Sequence, residues 1–145
     1  MLELNFLILK MIFKSFGVEK QYDTRIENLA SHLWLMKYRV PPPITPSKKG
    51  TQTDVGVLPH TDMSSLTILF QNKVQGLRVL SKKGNWIHVM VPEGAFVVLV
   101  GDALEAWSNG RLQAAEHMVV MSGDKERYAC GLLTLPKEKT VIDPQ

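Results

Sequence analysis

A series of short β runs separated by turn residues occupies the chain after Val55, and this pattern most limits the folds available to it. The runs have the length of ordinary strands and recur at the spacing typical of a sandwich or barrel. The breaks contain Gly, Asn, Asp or Pro, and Asn109-Gly110 favours a tight reversal with positive φ angles. Strands are predicted at 66–70, 76–80, 86–89, 95–100, 116–121 and 127–135. We therefore predict a mainly β fold, a double-stranded β-helix or jelly roll.

The first 16 residues form an apolar run that predicts a packing helix rather than a membrane span. Glu3 and Lys10 interrupt the run, which is shorter than the roughly 20 apolar residues that a span requires. Gly17 can end the helix in the left-handed conformation. One apolar stripe follows helical spacing and consists of Phe6, Leu9, Phe13 and Phe16. We expect N-terminal helices packed against the β portion and no contact with a membrane.

The segment after this helix predicts a short second helix, a strand and a loop. Asp23 is a candidate N-cap for a helix that reaches Asn28, and partial alternation at 33–39 favours a strand. The proline-rich stretch 41–50 cannot continue a regular element. The predicted organisation is a helical segment at 1–30 followed by a jelly-roll portion at 31–145.

Charge and cysteine content exclude several classes of function. The 145 residues have a net charge of +3, but the lysines are dispersed, and the pairs at 48–49 and 82–83 precede glycines that indicate exposed turns. Because no basic stripe alternates with aromatic residues, no nucleic-acid partner is expected. The single cysteine, Cys130, excludes an internal disulfide and fits a reducing, cytoplasmic setting. Its apolar surroundings predict a buried side chain.

An imidazole and a carboxylate, His60 and Asp62, follow an apolar run and lie two residues apart. In an extended strand, side chains at i and i+2 leave the same face, so both groups can reach one ion. His117, on a later predicted strand, is the candidate third ligand. Two imidazoles and one carboxylate form the facial triad of non-heme Fe(II) oxygenases, which leaves positions open for co-substrate and oxygen. The predicted metal site is therefore His60, Asp62 and His117.

Structural explanations compete with this prediction. His60 and Asp62 could form a hydrogen-bonded pair at a strand end, and His117 could be a packed polar residue beside Glu116. Neither alternative requires an ion.

Other residues of suitable chemistry receive no role in the predicted site. A hydrolase based on Ser64 or Ser65 is disfavoured, because no nucleophile elbow surrounds either serine. Asp102 is expected to cap a short turn rather than bind metal. His32 and His88 are expected to be surface or structural residues.

Seven short motifs occur in a fixed order between Met11 and Pro136. They are Met36-Lys37-Tyr38-Arg39, Pro59-His60-Thr61-Asp62 with Leu66-Thr67-Ile68-Leu69, Gly76-Leu77-Arg78-Val79, Gly101-Asp102-Ala103-Leu104, Trp107-Ser108-Asn109-Gly110-Arg111-Leu112, Glu116-His117 and Glu126-Arg127-Tyr128-Ala129. His117 follows His60 by 57 residues, and Arg127 follows 10 residues later. This order and spacing resemble the plant 2-oxoglutarate- and Fe(II)-dependent dioxygenases, most of all the branch that modifies glucosinolate side chains.

The resemblance implies a cofactor and a co-substrate. The three predicted ligands would bind Fe(II), and 2-oxoglutarate would chelate the iron through its keto oxygen and adjacent carboxylate. The far carboxylate would bind Arg127, whose planar fork can make two parallel charge-assisted hydrogen bonds. Pairing of Arg127 with Glu126 or Asp124 at a surface turn is the competing explanation. O2 would be consumed, 2-oxoglutarate would be decarboxylated to succinate, and ascorbate is a candidate reductant. The implied substrate is a small organic molecule of plant specialised metabolism.

Several positions depart from the family pattern. Ala129 occupies the place of a hydroxyl residue found in many relatives, and Met118 replaces an arginine after the distal histidine. Tyr38 cannot be assigned a co-substrate contact, because Lys37 stands where many relatives have asparagine and Arg39 where they have tyrosine.

The chain is also shorter than the family members, which are typically more than twice as long. The stripe of the first helix is therefore expected to be partly exposed. Two functions remain: an oxygenase, or a truncated, catalytically inactive jelly-roll module that binds 2-oxoglutarate or a partner without turnover. Hydroxylation, desaturation, dealkylation and ring closure remain open as reaction outcomes.

Overall fold

Two four-stranded antiparallel sheets form the body of the protein. The computed structural model describes residues 1–40 and 55–145. In chain order the elements there are α1 Leu2–Ser15, a 3-10 turn Glu19–Gln21, α2 Tyr22–Ile26, β1 Leu29–Tyr38, β2 Val55–His60, β3 Leu66–Gln71, β4 Leu77–Leu80, β5 Trp86–His88, β6 Val97–Val100, α3 Asp102–Trp107, β7 His117–Val120 and β8 Arg127–Pro136.

The order of the strands matches a jelly roll. The first sheet has the order β1-β8-β3-β6, and the second has the order β2-β7-β4-β5. β1 pairs with the whole of β8, from Leu29 opposite Pro136 to Tyr38 opposite Arg127. The predicted double-stranded β-helix with N-terminal helices is therefore confirmed, and each of the six strands predicted after residue 65 is present within two residues of its expected ends.

The helices pack on the outer face of the first sheet. Leu9 and Phe13 of α1 are buried together with Leu66 of β3, and the ring of Phe13 stacks on that of Trp107 with 4.5 Å between centroids. Burial of such side chains stabilises a fold by about 1.5–3 kcal/mol each. β3 is covered on both faces, which explains why its sequence is a continuous apolar run rather than an alternating one.

The first helix ends as predicted, at a Gly17 with φ of +73°. The apolar stripe of this helix is less exposed than predicted. Leu9 and Phe13 are buried and only Phe6 and Phe16 are half-buried, because α3 and the sheet cover this side. The exposed apolar residues of α1 are Leu2, Leu7 and Met11.

Two predicted helix caps are wrong. Asp23 lies inside the first turn of α2, because the preceding 3-10 turn runs directly into the helix and leaves Gln21 helical rather than extended. Asp102 is the first residue of α3, and the extended residue before it, Gly101, holds the cap position. Its carboxylate can still interact favourably with the positive end of the helix.

Two further predictions are corrected by the structure, and two are not tested by it. β1 begins at Leu29, earlier than the predicted residue 33, because pairing with the long β8 extends it. Cys130 is half-buried rather than buried, since it lies on the outer face of β8 with its Sγ 3.9 Å from Sδ of Met1. The predicted loop at 41–50 lies outside the described residues, and the division of the chain near residue 30 stays a prediction.

No helix within residues 1–40 and 55–145 has both the length and the apolar character that crossing a membrane requires. Asn109 and Gly110 both have positive φ, 51° and 75°, as the reversal predicted there requires.

Candidate metal centre

The two histidines of the predicted site face each other across neighbouring strands. His60 ends β2, His117 begins β7, and they are register partners whose ring centroids lie 4.3 Å apart. In each ring Nδ1 lies 2.8 Å from the carbonyl oxygen two residues earlier, that of Leu58 or Ala115. A carbonyl only accepts, so Nδ1 carries the proton and Nε2 is left with its lone pair. Both rings are thereby oriented as metal ligands.

Asp62 completes a cluster of three donors. Its Oδ1 lies 3.6 Å from Nε2 of His60 and 3.9 Å from Nε2 of His117. The ligand atoms of the three residues lie within 4.8 Å of one another, and no other such group of three was found among the described residues. The second oxygen of Asp62, Oδ2, accepts a 2.5 Å hydrogen bond from Oγ1 of Thr67. The same Oγ1 lies 2.9 Å from Oγ of Ser64. Thr67 thus fixes one carboxylate oxygen and leaves the other facing the histidines.

The backbone that delivers His60 is irregular. β2 pairs with β7 through Val57 opposite Val119 and His60 opposite His117, so the register shifts between the two pairs. Pro59 lies within this interval and has no N–H to offer the ladder, which explains the irregularity. The spacing of the two residues predicts Asp62 on the same strand as His60. β2 instead ends at His60, and Asp62 reaches the cluster from the loop that follows.

Gly101 holds this loop in place. The N–H of Asp102 donates to the carbonyl of Asp62 at 2.8 Å, and that of Ala103 donates to Ser64 at 3.2 Å. A Cβ on Gly101 would lie 2.1 Å from the Ser64 carbonyl oxygen, so only glycine permits this approach. The Gly-Asp motif therefore acts through its backbone, and the side chain of Asp102 is exposed.

Arg127 is fully buried and does not form the surface pair considered for it. Its Nη2 donates to Oε1 of Gln71 at 2.8 Å, and its Cζ lies 4.7 Å from the ring centroid of Tyr38. Burial lowers the pKa of the guanidinium from its ordinary value, and the neighbouring Tyr38 opposes this effect. Nε and Nη1 have no hydrogen-bond partner among the described residues. Glu126 instead pairs with Lys37 at 3.0 Å.

Tyr38, to which the motifs assign no contact, lies beside Arg127 in the structure. Its ring packs against the guanidinium of Arg127, and its hydroxyl points to Sδ of Met36 at 3.3 Å. Gly56 leaves space for the ring, since a Cβ there would lie 2.8 Å from Cδ1 of Tyr38.

The metal-ligand cluster and Arg127 line one cavity of about 490 Å³ between the sheets. This volume suits a small organic ligand. His32, which the sequence argument left without a role, is exposed at the wall of this cavity, whereas His88 is an exposed residue elsewhere. Most of the remaining lining is apolar: Trp34, Met36, Val57, Met63, Leu69, Leu77, Leu99, Val119, Leu133 and Leu135.

The residues present fit both groups that the resemblance implies. Two neutral imidazole nitrogens and a carboxylate are suitable ligands for Fe(II). Among the described residues the buried guanidinium has unpaired N–H groups and no anionic partner, and a carboxylate would supply one. The sequence did not identify Thr67, Gln71 or Gly101 as supports of this arrangement.

A jelly roll that holds two histidines, an aspartate and a buried arginine around one cavity defines a class of Fe(II)-dependent oxygenase. Residues 30–136 match the 2OG-Fe(II) oxygenase superfamily, and the chain belongs to this family. Its members use Fe(II) and 2-oxoglutarate, as in the structure of JOX2 in complex with 2OG, Fe and JA.

The relatives are considerably longer than this chain. A probable 2-oxoglutarate-dependent dioxygenase of Arabidopsis thaliana, AOP1, is 39% identical over 143 residues, which are 99% of this chain and 46% of that protein. The crystal structure of a full-length Neurospora crassa protein in complex with alpha-KG superimposes with a TM-score of 0.85 at 29% identity, covering 99% of this chain and 45% of that one. For JOX2 the TM-score is 0.82 at 29% identity, with 99% and 41% covered. The chain thus spans a little under half the length of these relatives.

Proposed function

We propose that the protein is a 2-oxoglutarate- and Fe(II)-dependent dioxygenase that oxidises a small organic metabolite and converts 2-oxoglutarate to succinate and CO2. The observation that supports this most directly is the presence, in one cavity, of three convergent ligand atoms and a buried arginine whose Nε and Nη1 have no partner in the described part of the chain. The proposal extends the family's chemistry to a chain that spans only part of its relatives.

The metal ligands and Arg127 would have separate roles. His60, Asp62 and His117 would hold Fe(II) through two imidazole nitrogens and one carboxylate oxygen. Arg127 would bind the far carboxylate of 2-oxoglutarate at a buried position, where a charge-assisted hydrogen bond is strong. When bound, Fe(II) supplies the activation of O2 that couples oxidative decarboxylation to oxidation of the substrate. The protein supplies orientation and the exclusion of water.

The wall of the cavity indicates the class of substrate. Trp34, Met36, Leu133 and Leu135 present an apolar surface on the side formed by β1 and β8, with His32 among them. We propose a largely apolar or aromatic metabolite with at most one or two polar groups, and such a metabolite would match a product of plant specialised metabolism. An imidazole at the wall suits a hydroxyl or carboxylate on that molecule.

The test is Fe(II)-dependent formation of succinate from 2-oxoglutarate, measured together with the affinity for Mn(II) as an inert substitute for iron. His117→Ala removes a ligand and should abolish succinate formation and weaken Mn(II) binding by more than the roughly 10–100-fold expected for loss of a supporting residue. His32→Ala is the matched control for the Mn(II) measurement and should leave that affinity unchanged, because it removes an imidazole from the same cavity outside the ligand set. Unchanged Mn(II) affinity in His117→Ala would refute the proposed site.

A second candidate is a module that binds metal and 2-oxoglutarate without turnover. The residues that would bind both groups are present, and the chain spans 46% of the length of AOP1. Mn(II) and 2-oxoglutarate binding without Fe(II)-dependent succinate formation would support it over the enzyme.

A further inference from the structure

Gln71 contacts the buried Arg127, and both the oxygen and the nitrogen of its side-chain amide have hydrogen-bond partners. Its Oε1 accepts from Nη2 of Arg127 at 2.8 Å, while its Nε2 donates to the carbonyl of Val74 at 3.2 Å and to Oε1 of Gln75 at 3.1 Å. The side chain of Gln71 is buried, so water does not replace these partners.

The direction of this chain of hydrogen bonds is set by the backbone. The N–H of Val91 donates to Oε1 of Gln75 at 3.0 Å, and Nε2 of Gln75 donates to the carbonyl of Val91 at 3.0 Å. Since a backbone N–H can only donate and a carbonyl can only accept, the amide of Gln75 has one orientation. Its oxygen must therefore face Gln71, and the oxygen of Gln71 must face Arg127.

We propose that Gln75 and Gln71 form a polar relay that positions the guanidinium of Arg127 for the far carboxylate of 2-oxoglutarate. The inference rests on the proposed function, which it deepens. Arginine has five N–H donors, of which Gln71 takes one. The Nε and Nη1 groups have no partner among the described residues and remain available to the co-substrate.

Space beside the arginine supports the same assignment. A Cβ on Gly76 would lie 3.4 Å from Cδ of Arg127 and 2.9 Å from the carbonyl of Val120, so the glycine next to Gln75 lets β4 and the arginine approach closely. The ring of Tyr38 covers the guanidinium at 4.7 Å. Gln71 and Tyr38 together restrict the guanidinium before any ligand binds, and such preorganisation improves affinity.

The first experiment measures the affinity of the Mn(II)-loaded chain for two keto acids. Gln71→Leu should raise the Kd for 2-oxoglutarate about tenfold. It should leave unchanged the Kd for 2-oxobutyrate, which chelates the metal but lacks the far carboxylate, and the Kd for Mn(II). A Kd for 2-oxoglutarate within twofold of the parent value would overturn the relay. So would equal losses for both keto acids, because these would indicate a general structural effect.

A matched pair of variants tests the direction of the relay. Gln75→Glu keeps an oxygen that accepts from Val91 and Gln71 and loses only the donor to the carbonyl of Val91, so the Kd for 2-oxoglutarate should rise by about threefold at most. Gln75→Leu removes that oxygen and should raise this Kd several-fold more than Gln75→Glu does. Equal effects of the two variants would overturn the assigned orientation.

A measurement without co-substrate separates this proposal from the proposed function. If the parent chain binds Mn(II) but not 2-oxoglutarate, the function fails, and the relay is then decided by urea unfolding of Gln71→Leu, Arg127→Met and the double variant. Non-additive shifts of the urea midpoint would support an interaction between Gln71 and Arg127, and additive shifts would overturn it.

Discussion

Thr67 determines which oxygen of Asp62 is available to an ion. Thr67→Val keeps the shape of the side chain but leaves Oδ2 without its 2.5 Å hydrogen bond, so the carboxylate can rotate away from the histidines. We expect the Kd for Mn(II) to rise roughly 10–100-fold. Thr134→Val is the control, because Thr134 is equally buried but contacts Ser31 instead. Similar Mn(II) affinities in the two variants would contradict this role.

Asn5 is a buried amide in α1 with no hydrogen-bond partner for its side chain among the described residues. Burying an unpaired amide is costly, and Asn5→Leu replaces it with an apolar group of similar size. We expect the free energy of unfolding in urea to rise by about 1–3 kcal/mol. Asn5→Asp, which has the same shape but buries a charge, should lower it. A less stable Asn5→Leu variant would show that the amide is satisfied by water.

The sequence predicted the three residues whose ligand atoms converge, but not the residues that hydrogen-bond to the site. His60, Asp62 and His117 could be recognised because their side chains have the chemistry of ligands, and Arg127 through the order of motifs. Gln71 and Thr67 could not, since a glutamine or threonine on an apolar strand has no distinctive pattern. Their roles come from contacts between segments distant in the chain.

Gly101 connects β6 and α3 to the loop that holds Asp62. Gly101→Ala would place a Cβ 2.1 Å from the Ser64 carbonyl oxygen, so the loop must move. We expect at least a tenfold weaker affinity for Mn(II) and a loss of about 1–3 kcal/mol of stability. Gly131→Ala is the control, because its Cβ would meet nothing nearer than a Leu133 methyl at 3.4 Å. Unaltered Mn(II) binding in Gly101→Ala would contradict this account.

Glu126 links the start of β8 to the end of β1. Hydrogen bonds from Tyr128 and Lys37 lower the pKa of its carboxyl group, and the hydrogen bond to Glu126 raises the pKa of Lys37. The contribution of Glu126 to stability is therefore present above the pKa of the unfolded chain and is lost as the pH falls through the lowered value. The contribution of Lys37 is complete below its unfolded pKa and is lost as the pH rises through the raised pKa of the folded state.

We expect the difference in urea midpoint between the parent and Glu126→Gln to be present at pH 7 and to shrink as the pH falls below about 4, near the ordinary pKa of a glutamate. Both groups are exposed, so the difference will be small. A difference that grows on acidification would contradict the assignment.

The elements themselves were largely predictable, because strands 66–70 to 127–135 are bounded by strong turn residues. The errors occurred where tertiary contacts extend or replace local preference. β1 begins at Leu29 because β8 offers a long partner, although Ser31 and His32 interrupt the apolar pattern. Asp23 has the chemistry of a cap, but the 3-10 turn before it removes the extended residue that a cap requires.

Across the whole molecule, β1 is one of the two edge strands of the first sheet in the described part of the chain, the other being β6. Leu33 and Leu35 are 58% and 80% exposed on it. An exposed apolar edge invites pairing with another chain. We expect concentration-dependent self-association in sedimentation experiments, reduced by Leu35→Lys. Met90→Lys, at an equally exposed methionine outside the strands, is the control. A monomer at all concentrations would contradict this expectation.

Because His60 pairs with His117, the stability of the protein would depend on whether an ion is bound. These residues are 57 positions apart and belong to neighbouring strands, so an ion bound by both would act as a reversible cross-link that closes a long loop. Each tenfold excess of free ion over its dissociation constant would add about 1.4 kcal/mol to the free energy of unfolding. The concentration of free iron would then affect the fraction of the chain that is unfolded and open to proteolysis.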